Sequence, residues 1–180
     1  MLARTISKLL DEAILPAVVI IAGKIIGLFL ANIVNSLPYS IQPGESILPW
    51  TVVYSTPTEA ATANTFSNLV MYLVVLVGFS VVLFRAHYLH ASHIPPKLSG
   101  RLIRLKLENF IADSFEIYHQ ALVWLSFLWI TTVIVFIYAL GGGSISLGLI
   151  TFLGSFTATY LYTKDIEIEL EAERIVEGAH

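Results

Sequence analysis

The sequence predicts an all-α integral membrane protein: a four-helix transmembrane bundle with both termini cytoplasmic and an extended cytoplasmic helix before the third span. Three observations predict it. Of 180 residues, 56% are hydrophobic and only 13% charged, too little charge to cover the surface of a soluble domain of this size. Four apolar runs, near 16–36, 66–84, 120–140 and 145–162, each have about the length that crosses a bilayer. The basic residues fall before the first run, between the second and third, and after the fourth, with none between the first and second. By the positive-inside rule, Arg4 and Lys8, the 85–106 segment, and Lys164 with Arg174 then share the cytoplasmic side. The whole chain, 1–180, reads as a single membrane domain.

Residues 2–14 are expected to form a short interfacial helix. Arg4 and Lys8 ahead of an apolar run have the look of a signal peptide, but no small-x-small cleavage site follows and Asp11 and Glu12 interrupt the pattern, so an uncleaved first span is expected. Pro16 is best placed in the first turn of that span, where its missing N–H costs nothing. The run 13–34, AILPAVVIIAGKIIGLFLANIV, holds one charge, Lys24. Gly23, Gly27 and Ala31 recur at every fourth position beside it and form a smooth stripe for close approach of another helix.

An extracytoplasmic loop is expected over 37–63. Pro38, Pro43, Pro49 and Gly44 rule out a long regular helix in 37–56, and Trp50 and Tyr54 look like interfacial aromatics. Thr56-Pro57-Thr58-Glu59 is a helix start, with a capping threonine, proline at the first helical position and glutamate three residues after the cap. That helix crosses the membrane over 66–84, meets Arg85 as a stop, and is expected to continue through His87 and His90 until Pro95-Pro96 ends it.

The cytoplasmic loop, 85–119, carries a helical seam. Ile103, Leu107, Phe110, Ser114, Tyr118 and Ala121 recur at four- and three-residue steps, and the seam continues through Leu125, Leu128, Thr132 and Val135, which predicts one helix over 98–140. Gly141-Gly142-Gly143-Ser144 is a tight turn rather than a phosphate loop, since no Lys-Ser/Thr follows. The fourth span carries a small-residue face of Gly148, Thr151, Ser155 and Ala158.

In the tail, 164–180, charge alternates with apolar residues. Alternation suits a strand, Glu, Leu and Ala suit a helix, and Glu167/Glu171 and Glu169/Glu173 repel at i,i+4; a helix continuing span four is favoured, with disorder or an added strand as alternatives. Six acids against two bases give the tail a net charge of −4. The basic patch Lys97, Arg101, Arg104 and Lys106 has the opposite sign, so tail-to-loop docking is one expectation. The others are two separately solvated segments, or the basic one lying on anionic headgroups.

Lys24 is the foremost functional candidate, because an intramembrane cation is costly and defaults to a functional reading. No Asp or Glu lies in spans two to four to pair with it. Three readings stay open: snorkelling toward the cytoplasmic headgroups, pairing with a carboxylate of another subunit beside the glycine stripe, and a site for an anion or proton in a transport path. His87, His90, Glu116 and His119 form the one candidate metal set, Glu116-x-x-His119 placing two ligands on one helix face, but such bundles use that element twice and here it occurs once. Interfacial histidines are the favoured reading. Ser67, Ser80, Ser126, Thr131 and Thr132 read as interhelical hydrogen-bonding groups, and Trp124 and Trp129 as packing or interfacial anchors.

With no cysteine, disulfides, thiolate metal sites and a cysteine nucleophile are excluded. No cofactor and no enzyme activity are expected, and the basic stretch is too short and too interleaved with leucine for nucleic acid. The expected partners are the bilayer and other membrane subunits or further copies of the chain, in a cytoplasmic or plasma membrane before an organellar inner one. The expected function is a non-enzymatic structural or accessory subunit of a membrane assembly. A small self-associating channel or transporter with Lys24 in its path is the alternative, and a metalloenzyme on the histidines is the remotest.

Overall fold

The computed structural model describes residues 2–44, 50–89, 94, 96–106 and 114–177. In chain order its elements are α1 (Leu2–Asn35), β1 (Tyr39–Pro43), β2 (Trp50–Tyr54), α2 (Pro57–Tyr88), α3 (Pro96–Arg104), α4 (Ser114–Leu140) and α5 (Ile145–Glu177). Four stretches, Glu12–Asn35, Pro57–Tyr88, Glu116–Leu140 and Ile145–Glu171, are long and apolar enough to cross a bilayer. α2 and α4 pack together at the centre; α1 lies against both from one side and α5 from the other.

Helix ends follow local chemistry. Thr56 caps α2 in a reciprocal box: its Oγ1 accepts from the Glu59 N–H at 3.3 Å, and Glu59 Oε2 accepts from the Thr56 N–H at 2.9 Å. α4 ends with Gly142 at φ 99° and the Gly143 N–H donating to the Tyr138 carbonyl at 3.0 Å, a left-handed stop that glycine adopts without steric cost. Ser144 then caps α5, accepting from the Leu147 N–H at 3.3 Å. α1 stops in the same way at Ser36, φ 50°, with the Leu37 N–H reaching back to the Asn32 carbonyl at 3.1 Å and Pro38 barring continuation.

The core is built where α2, α4 and α5 meet. Val75 and Phe79 of α2 pack with Trp124, Leu125 and Leu128 of α4 and with Ala158 of α5. Gly78 leaves the space that the Trp124 ring fills. The small face of α5 is buried as its spacing predicts: Thr151 and Ser155 are fully enclosed, and the Thr132 and Ser155 hydroxyls bond each other at 2.6 Å. Trp129 also donates to Thr159 Oγ1 at 3.0 Å, tying α4 to α5.

Four expectations are corrected. Pro16 lies inside a continuous α1 rather than in the first turn of a separate helix. Proline removes one helical bond, to the Glu12 carbonyl, at a cost of about 3 kcal/mol; its ring is fully buried, and packing offsets that loss. The fold is not purely α, because 39–43 and 50–54 pair as an antiparallel hairpin, Tyr39 opposite Tyr54. Thr51, Val52, Val53 and Tyr54 are strong strand formers, and Pro43 sits where an edge strand tolerates it.

The single helix over 98–140 is instead α3 and a separate α4. The Lys106 N–H closes a tight turn on the Ile103 carbonyl at 3.0 Å, and Lys106 takes the left-handed conformation, φ 57°. Side-chain periodicity marks a face and does not sense that reversal; Leu107 and Phe110 of the seam lie outside the described residues. Finally, α2 ends at Tyr88, short of His90, which also lies outside them.

The tail does continue α5 as a helix to Glu177. Asp165 and Glu169, one turn apart, are buried against the bundle, while Glu167 between them is exposed. Lys97, Arg101, Arg104 and Lys106 are exposed, and among the described residues none of them is ion-paired with the tail.

Candidate functional site

Lys24 sits about 16 Å along α1 from Asn35 by helical rise, near the middle of the apolar stretch Glu12–Asn35. Opposite it, α2 presents Asn64, Ser67 and Asn68, which the i, i+3, i+4 spacing places on one helix face. The Lys24 ammonium donates to Asn68 Oδ1 at 2.6 Å and to Asn64 Oδ1 at 3.4 Å. Ser67 Oγ donates to the Lys24 backbone carbonyl at 2.6 Å. Asn64 is itself oriented by its Nδ2 donating to the Ala60 carbonyl at 3.1 Å.

The cation therefore has partners within its own chain, contrary to the sequence expectation, which looked only for carboxylates. They are neutral amide oxygens. They solvate the ammonium and leave its charge uncompensated, and among the described residues no carboxylate reaches it.

The stripe of Gly23, Gly27 and Ala31 also faces α2. A Cβ on Gly27 would come within 2.7 Å of Ser67 Cα, and one on Gly23 within 3.2 Å of Met71 Cα, so the two backbones approach as closely as glycine permits. Ala31 is fully buried. The surface that the sequence offers to a neighbouring subunit is thus occupied by the chain's own second helix.

Beside Lys24 a cleft of about 1040 Å³ opens between α1, β2, the start of α2 and Ile134 of α4. Its lining is largely apolar, with the exposed Ile21, Ile25 and Phe29 on α1 and the buried Met71 on α2. The polar side chains in its lining are Asn32, which is buried, and the exposed Thr51, Ser55 and Thr56. The hairpin roofs it because Tyr54 donates from its hydroxyl to Asn32 Oδ1 at 2.9 Å, pinning β2 to the end of α1. Burial pushes the Tyr54 phenol above its ordinary pKa, which keeps that donor protonated. No His, Asp or Glu is among the described residues that line the cleft.

A second polar cluster occupies the opposite end of the bundle. Asp165 of α5 accepts from the Tyr118 hydroxyl at 2.9 Å and faces His87 Nδ1 at 2.6 Å. His119 Nδ1 lies 2.7 Å from Glu12 Oε2. Of the candidate metal set, His87 and His119 face different carboxylates, on α5 and α1, and His90 lies outside the described residues. Among the described residues no group of three or more His, Asp or Glu side chains is arranged to hold a metal ion.

Sequence reasoning singled out Lys24 and missed what surrounds it. Asn64-x-x-Ser67-Asn68, a polar i, i+3, i+4 triplet at the head of an apolar run, was the available signal. Nothing in the local pattern distinguishes the buried Asp165 from Glu167, which pairs with Lys164 at the surface at 2.8 Å. Comparison with protein-family models, curated proteins and solved structures gives no match.

Proposed function

We propose that this chain is a non-enzymatic, multi-pass membrane protein that binds an anionic group at Lys24, as a binding or carrier component in which Lys24 lines the path of the bound species. One observation carries the reading: an ammonium deep in an apolar helix, solvated by two neutral amides, borders a cleft open to the outside of the fold. In a low-dielectric setting an uncompensated charge is costly, and an incoming anion relieves that cost. The cleft offers a cation and amides without an acid–base pair, which suits binding rather than chemistry.

The accessory-subunit reading loses its seam, because α2 covers Gly23, Gly27 and Ala31; what remains to it is Lys24 itself. Native mass measurement after gentle solubilisation separates the two. The expected result is the chain alone or as a homo-oligomer, carrying a small anionic adduct that Lys24→Gln removes. A second polypeptide held in fixed ratio and lost with Lys24→Gln would overturn the proposal in favour of the subunit reading.

A further inference from the structure

We infer that the anion taken at Lys24 is the carboxylate of a long-chain amphiphile, lying head-inward in the cleft between α1 and the hairpin. The inference rests on the anion-binding reading and names its ligand class. Size is the first argument. A cleft of about 1040 Å³ stands at the upper end of the range for sites that enclose drug-sized molecules, far more than an inorganic ion fills. The second is the lining. Ile21, Ile25, Phe29 and Met71 give the cleft an apolar lining that offers a hydrophilic anion no hydrogen bonds and matches a hydrocarbon chain.

Charge is the third. One ammonium balances one negative charge; a phosphomonoester dianion would leave an unpaired charge in the same place. Depth decides between the monoanions. Lys24 lies about 16 Å from the end of α1 by helical rise, well inside the apolar stretch. A two-chain phospholipid keeps its phosphodiester at the interface and cannot shed that charge by protonation. A carboxyl group, with an ordinary pKa of about 4, reaches such a depth in its neutral form and ionises where a cation awaits it.

The test uses the full chain in phosphatidylcholine nanodiscs, titrated with carboxyl-¹³C oleate and, separately, with carboxyl-¹³C acetate, the bound carboxylate being followed by NMR. Oleate is expected to saturate at one site per chain. Lys24→Gln should weaken it about ten-fold or more, the equivalent of about 1.4 kcal/mol, while Lys24→Arg stays within a few-fold of wild type. Ile25→Trp, at a partly exposed groove position that leaves the helix interface intact, should also weaken oleate and so separates groove binding from misfolding. Acetate binding at Lys24 as tightly as oleate would overturn the amphiphile while leaving the anion reading standing. Displacement of oleate by phosphatidylglycerol at equal mole fraction would overturn it in favour of a headgroup. Absence of any Lys24-dependent carboxylate or phosphate binding would overturn both readings.

Discussion

Asp165 is held by side chains from two other helices, and its removal is expected to be among the costliest single changes in the protein. It accepts from Tyr118 and faces His87, at 2.9 Å and 2.6 Å, while itself buried. Hydrogen bonds to a charged group contribute about 1.5–3 kcal/mol, and a truncated partner leaves the others unsatisfied. Asp165→Ala should therefore lower the thermal midpoint in detergent by several degrees, and Glu167→Ala, at the exposed Lys164 pair, should not. A midpoint equal for the two variants would show that the cluster contributes nothing. At the other end, Asn68→Ala leaves Lys24 with only the 3.4 Å contact to Asn64. Destabilisation of about 1–3 kcal/mol is expected in detergent unfolding, and the double variant Lys24→Met/Asn68→Ala should recover part of it, because the buried cation that needed solvation is gone. Residue identity in the sequence was enough to single out Lys24. It was not enough to find its neighbours, since asparagine on another helix becomes a partner only once α1 and α2 are set in register.

At the scale of elements, that register is fixed by backbone contact. Gly27 faces Ser67 and Gly23 faces Met71, so the next step along the stripe places Ala31 opposite Ala63, both fully buried. The chain has no cysteine, so Ala31→Cys with Ala63→Cys should form a disulfide under mild oxidation, whereas Ala31→Cys with Leu73→Cys, on the exposed side of α2, should not. Cross-linking of the second pair and not the first would place α1 elsewhere. Gly27→Leu puts a side chain against the Ser67 backbone, which cannot yield as a flexible side chain would; a loss of about 1–3 kcal/mol and weaker α1–α2 cross-linking are expected. The four long helices, the Thr56 cap of α2 and the triglycine turn were legible from apolar run length, Thr56-Pro57-Thr58-Glu59 and Gly141 to Gly143. The hairpin and the break at Lys106 were not. An isolated two-stranded hairpin is marginal in water, and this one depends on Tyr54 reaching Asn32, a contact between segments 22 residues apart.

For the whole molecule, the distribution of basic residues makes a prediction that the packing leaves open. If the positive-inside bias sets orientation, Ser40→Cys on the exposed β1 should react with an impermeant maleimide in intact cells, and Gly100→Cys on exposed α3 only after permeabilisation. The reverse pattern would invert the protein and put the Lys24 cleft on the cytoplasmic side. By itself the sequence determined four apolar helices, the Thr56 start of α2, the glycine turn after α4 and the one charge within the apolar runs, because run length, capping chemistry and hydropathy are local and additive along the chain. Only the tertiary structure decided that the glycine stripe is spent on α2, that two asparagines solvate the ammonium, that a roofed cleft adjoins it, and that Asp165 faces inward. Those depend on which helix faces meet, and in an apolar chain many pairings of greasy faces satisfy the same pattern, so close backbone approach and a few polar contacts select among them.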